Sequence, residues 1–122
     1  MKTYYARAKR KAGEMTETER KYADHLEFMK RGGQIIEYWY EPFNIHLAEG
    51  VYYKADFLVH AADGVLEVHE VKGAAAVIEE KAVIKAKLVA EKFPFRMRIV
   101  WPKPKREGGW NYRDFDRGRI KD

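Results

Sequence analysis

Two strand-like runs on either side of a tight turn constrain this chain more than any other stretch: "VYYKADFLVH" and "VLEVHEVKG", joined by "AADG". Both runs are rich in β-branched and aromatic residues, and the Asp-Gly pair supplies hairpin chemistry. Residues 51–72 are therefore expected to form an antiparallel hairpin, and a hairpin of this length needs a sheet around it. With Ala62 and Asp63 as the central turn residues, position i faces roughly 125 − i, which sets Asp56 opposite His69 and beside Glu70. A change of register by one residue would set Asp56 directly against Glu70.

The neighbouring segments supply the rest of the sheet and its cover. In "MTETERKYADHLEFMKRGG", Thr16 followed by Glu19 fits a capping box and Gly32-Gly33 stops the helix, so a helix is expected over 17–31. Its apolar stripe runs through Met15, Tyr22, Leu26 and Met29, and Glu19 falls on that stripe, where the capping box and the helix dipole account for it. "QIIEYWYEPF" and "FNIHL" read as strand, with Pro42 making them two strands or one bent edge strand. From Ala74 to about Lys92 the pattern is helical, with a core stripe through Val77, Ile84 and Leu88 and a basic one through Lys81, Lys85 and Lys92. "FRMRIVW" then alternates Phe95, Met97, Ile99 and Trp101 against Arg96 and Arg98, a strand with one buried and one cationic face. A strand reached through a helix after an antiparallel hairpin implies an α/β (α+β) fold with a mixed central sheet flanked by helices.

Length and charge bound the function. At 122 residues the chain suits one domain, which we divide into a basic arm at 1–13, a core at 14–102 and a basic tail at 103–122 that docks locally at most. The ends carry the positive charge: +5 over 1–13 and +3 over 103–122, leaving −3 for the core. Basic ends with Tyr4, Tyr5, Trp110 and Tyr112 among them suit a nucleic acid, and they equally suit solvated tails. No apolar run has the length of a membrane span, and no secretory signal is evident. The absence of cysteine fits the cytoplasm and leaves oxygen or histidine as the only metal ligands.

The chemistry gathers on the hairpin. Residues two apart on a strand share a face, so Leu66, Val68, Glu70 and Lys72 point one way, with Glu70 and Lys72 about 7 Å apart by strand rise. Asp56 lies in the partner run, in a poor place for an unpaired carboxylate. Two neighbouring carboxylates repel unless a cation sits between them, and Mg²⁺ is the hard ion that oxygen ligands favour, with the Val71 carbonyl as a further donor. Lys72 beside such a site can orient or deprotonate a water. The residues alone also allow a plain cross-strand ion pair on a solvated face. His60 and His69 flank the hairpin and suggest a metal pair, but read more simply as two half-exposed strand residues.

Asp56 in "YKADFLV", Glu70-Val71-Lys72 in "HEVKG" and the element order resemble the PD-(D/E)XK nuclease superfamily, with its acid on one strand, (D/E)-x-K on the next and an αβββαβ, restriction-endonuclease-like core. The likeness is greatest to small phage and prophage proteins of the endonuclease I or Holliday-junction-resolvase type, over residues 16 to about 101. The proline usual before the first acid is absent, with Ala55 in its place, and Glu41 stands where such proteins often have glutamine. The resemblance implies a metal-dependent endonuclease that hydrolyses DNA phosphodiesters, acting on branched or recombining DNA as a homodimer in the cytoplasm, that of the host if phage encoded. It implies Asp56 and Glu70 as ligands of Mg²⁺ or Mn²⁺, Glu19 as a further catalytic and metal-site carboxylate, and Lys72 as the residue that positions the water. Lys9, Arg10, Lys11, Lys81, Lys85, Arg96 and Arg98 would then meet the DNA backbone. The alternatives are a non-catalytic nucleic-acid-binding module on the same fold and a restriction or nicking enzyme with another target.

Overall fold

A computed structural model describes residues 13–115. It contains helix α1 (Glu17–Arg31), strands β1 (Ile35–Tyr40), β2 (Asn44–Ala48), β3 (Val51–Lys54), β4 (Phe57–Ala61) and β5 (Leu66–Val71), and a 3₁₀ turn (Ala75–Val77). Helix α2 (Glu80–Lys92) and strands β6 (Arg96–Pro102) and β7 (Trp110–Phe115) complete it. Five strands form a mixed sheet in the order β1-β4-β5-β6-β7, while β2 and β3 pair separately. Among the described strands only β5 and β6 run parallel, and α2 supplies the crossover such a pair needs. Both faces of the sheet are covered. Phe57, Val59 and Val100 meet Tyr22 and Leu26 of α1 on one face. On the other, Val68, Met97 and Ile99 meet Ala86, Val89 and Ala90 of α2 together with Ile45, Leu47 and Tyr53 of the β2–β3 hairpin. Full burial of side chains such as Phe57 and Leu26 contributes on the order of 2–3 kcal/mol each. No helix among the described residues is long and apolar enough to cross a membrane.

Helix α1 follows its sequence signals. Thr16 Oγ1 accepts from Glu19 N and Glu19 Oε1 accepts from Thr16 N, completing the capping box. The β1 and β2 runs are two strands, separated at Pro42 and placed in different sheets.

Four expectations need correction. First, residues 51–60 are not one strand: the chain leaves β3 at Lys54 and enters β4 at Phe57, so Asp56 sits at a crossing between two sheets. That crossing is held by Glu41 N donating to Asp56 O (2.7 Å) and Ala55 N donating to Phe43 O (3.3 Å). Second, the β4–β5 turn has three residues, Ala62-Asp63-Gly64. Ala61 N donates to Val65 O, Asp63 Oδ1 accepts from Val65 N, and Gly64 takes φ +91°, a value that favours glycine. Phe57 therefore faces His69, and Asp56 falls level with Glu70 rather than with His69. Third, α2 begins at Glu80 and turns a different stripe inward. Ala86, Val89 and Ala90 are buried, whereas Ile84 is 50% exposed and Val77 lies in the 3₁₀ turn. Small residues let the helix approach the sheet closely, and that outweighed the larger apolar ones. Fourth, part of the expected tail belongs to the sheet: Trp110–Phe115 pairs antiparallel with Met97–Pro102 of β6, and Phe115 is buried.

Candidate active site

The site forms where β4 and β5 leave the sheet. Continuing the register of Phe57 with His69 brings Asp56 level with Glu70 on the α2 face, because both alternate with residues that face α1. Asp56 Oδ2 accepts from Val71 N at 2.9 Å, so the carboxylate is locked to the strand that carries Glu70. Lys72 Nζ lies 2.9 Å from Glu70 Oε2, and Lys72 N donates to Val100 O, which ties the end of β5 to β6. Asp56, Glu70 and Lys72 line one pocket of about 240 Å³, together with Tyr53, Lys54, Glu79, Lys81, Ala82 and Lys85. Lys85 is anchored there, donating from Nζ to Tyr52 O.

The electrostatics are those of a crowded acid pair. Asp56 keeps an opening to the pocket, yet protein surrounds it, and burial raises its pKa from 3.8 to about 8. The Val71 N–H acts against this, Glu70 and Glu19 add to it, and Lys72 partly offsets them. Burial lowers the pKa of Lys72, but its hydrogen bond to Glu70 and the charges of Glu70, Asp56 and Glu79 outweigh that and hold the ammonium above its usual range. Burial first, then Glu70 and Asp56, keeps the Tyr53 hydroxyl protonated far above the ordinary tyrosine range. That hydroxyl is close to Glu70 but makes no hydrogen bond of acceptable geometry with any described residue.

Glu19 occupies a different place. It is buried on α1, beyond the pocket lining, and its Oε1 accepts from both Thr16 N (2.9 Å) and the Tyr40 hydroxyl (2.8 Å). It acts on Asp56 through its charge. Among the described residues no three acidic or histidine side chains converge as a ready metal cage. The acids that line the pocket are Asp56, Glu70 and Glu79, and their oxygens suit Mg²⁺, an ion that commonly uses one or two carboxylates with waters and a substrate phosphate.

The basic candidates divide. Lys81 and Lys85 stand at the pocket. Arg98 is bound to Asp114 at 2.6 and 3.2 Å and lies over the Tyr112 ring, while Arg96 pairs with Asp63 and Glu67, so the expected cationic face of β6 is neutralised within the protein. Lys9, Arg10 and Lys11 lie outside the described residues.

His60 and His69 do not form a pair, because alternation along the hairpin points them to opposite faces. His69 is buried against α1 and not half-exposed: Nδ1 meets the Tyr22 hydroxyl at 2.6 Å and Nε2 meets Glu67 Oε1 at 2.8 Å. A second cleft, of about 410 Å³, opens over this network between Phe28, Trp110 and Tyr112.

Sequence reasoning missed Tyr53, Lys54 and Glu79 as pocket residues. The signal for Tyr53 was present in the alternation Tyr53, Ala55, both buried on the α2 face, but it reads as core unless β3 is known to lie over β5. No curated protein and no solved structure matches the chain. Residues 7–106 match the family model DUF1064, described as a protein of unknown function, and the chain belongs to that family.

Proposed function

We propose that the chain is a small Mg²⁺-dependent endonuclease that hydrolyses DNA phosphodiesters, with a PD-(D/E)XK core and Asp56, Glu70 and Lys72 at its centre. The observation that carries this reading is the meeting of Asp56 and Glu70 at one level of the sheet, beside Lys72, in a pocket bordered by Lys54, Lys81 and Lys85. Burial first, and the neighbouring Glu70 after it, disfavours the ionised form of Asp56, so a cation at this place would relieve both acids. A bound divalent cation supplies Lewis-acid polarisation of the phosphate and a more acidic water.

Within the protein, Asp56 and Glu70 would hold the cation, with Val71 O as a further donor, and the Val71 N–H fixes the orientation of Asp56. Lys72 orients the attacking water and balances the negative charge that builds on the phosphate. Lys81 and Lys85 hold the backbone of the strand against the pocket. Glu19, fixed by its two hydrogen bonds, adds negative charge near Asp56, which disfavours ionisation of that acid and would be offset by a bound cation.

The substrate we assign is branched or recombining DNA. The test compares cleavage of four-way junction, flap, single-stranded and linear duplex DNA in Mg²⁺. Faster cutting of the junction is expected. Equal rates on junction and linear duplex would remove the branched-DNA assignment, and no metal-dependent cutting of any of the four would remove the nuclease reading.

A further inference from the structure

Tyr53 lies on β3 and reaches across to β5, so that its ring is part of the α2-side core while its hydroxyl sits at the pocket beside Glu70. Tyr53 is 5% exposed, and its oxygen has no hydrogen-bond partner among the described residues. A buried hydroxyl without a partner costs stability, and phenylalanine would fill the same space without that cost. Glu70, the carboxylate beside this hydroxyl, is paired with Lys72 at 2.9 Å. A divalent cation brought to Glu70 would repel the Lys72 ammonium and compete with it for that carboxylate, so Glu70 would need a second partner once Lys72 lets go.

We infer that Tyr53 is a positioning residue: its hydroxyl donates to Glu70 when Lys72 releases that carboxylate, and so fixes Glu70 for a divalent cation. The site therefore has two arrangements. In the one seen, Glu70 is held by Lys72 and the Tyr53 hydroxyl is left over. In the loaded one, Tyr53 would hold one oxygen of Glu70 and leave the other free for a cation, and Lys72 would turn to the water. Groups that orient a metal-binding carboxylate commonly change metal affinity by about 10–100-fold. The inference rests on the metal-dependent reading above but is decided by a measurement that does not need cleavage.

The test is Tyr53→Phe, with Glu70→Gln as a marker of the site, read by thermal melting without metal and by titration with Mn²⁺ alone, followed through its paramagnetic resonance. Tyr53→Phe is expected to melt at or a few degrees above the parent, and to bind Mn²⁺ roughly 10–100-fold more weakly. Its cleavage rate recovers towards the parent value as the metal concentration is raised. A lower melting temperature with unchanged Mn²⁺ affinity would make Tyr53 a packing residue and overturn the inference, as would a parent protein that binds no Mn²⁺. A parent that binds Mn²⁺ through Glu70 but cuts no DNA would sink the nuclease reading, while the affinity of Tyr53→Phe would still decide the role of the hydroxyl.

Discussion

Replacing Asp56 with asparagine should stabilise the metal-free protein near neutral pH, although it removes a residue from the centre of the site. In the unfolded chain this carboxyl ionises near 3.8, and in the folded protein it keeps its proton to about pH 8. A group whose folded pKa is raised contributes stability that is fully present below its unfolded pKa and is lost as pH rises through the folded one. At ~1.4 kcal/mol per pH unit, the loss by pH 7 is about 4 kcal/mol; allowing for the coupling to Glu70 and Lys72, about 2–4 kcal/mol is the expected size. Asparagine resembles the protonated acid: its carbonyl oxygen can still accept from Val71 N, and no charge is buried. Urea unfolding in a chelating buffer at pH 4.5, 5.5, 6.5 and 7.5 measures the effect directly. The advantage of Asp56→Asn should be small at pH 4.5 and widen with pH, reaching a midpoint shift on the order of 1–2 M urea at pH 7.5. Adding Mg²⁺ should stabilise the parent and leave the variant unmoved. A difference that stays constant with pH, or a variant less stable than the parent at pH 7.5, would refute the account of a crowded acid pair.

Other predictions rest on separate parts of the fold. Thr16→Ala removes the hydroxyl that caps Glu19 N and should cost about 1 kcal/mol in a denaturant titration. Ending the chain at residue 103 removes β7, uncovers the β6 edge and takes away buried Phe115 and the Trp110 ring packed on Tyr22, so the shortened chain should lose its cooperative melt. Burial lowers the pKa of His69 below 6.5, against the opposing pull of Glu67 and Asp114, while Arg98 also lowers it; His25 is lowered as well. Unfolding below pH 6.5 therefore takes up protons, and stability in the Asp56→Asn background should fall as pH drops from 6.5, by up to ~1.4 kcal/mol per unit for each histidine.

The legible parts of the fold were those governed by local chemistry. The α1 capping box, the Gly32 stop and the inward Glu19 follow from side-chain reach and helical spacing. The β4–β5 hairpin was likewise readable, but its register turned on one residue of loop length, and Gly64 at positive φ settles it in favour of Asp56 level with Glu70. What could not be read depends on which element lies over which. The break at Ala55–Asp56 exists because β3 pairs with β2 rather than continuing in the main sheet, and Tyr53 joins the pocket for the same reason. The inward face of α2 is set by close packing of Ala86 and Ala90 on the sheet, which hydrophobicity alone does not rank above Ile84. Likewise, Arg96 and Arg98 look like a cationic face until β7 brings Asp114 alongside and the hairpin turn brings Asp63.

The measurement closest to the central claim is single-turnover cleavage of a labelled four-way DNA junction by the parent protein, Asp56→Asn, Glu70→Gln and Lys72→Ala, each first shown to be folded by its thermal melt. Cleavage by the parent that requires Mg²⁺, is abolished by chelator and falls at least about 100-fold in every variant is the predicted result. Metal-dependent cleavage that persists in Glu70→Gln and Lys72→Ala would contradict the assignment of the site.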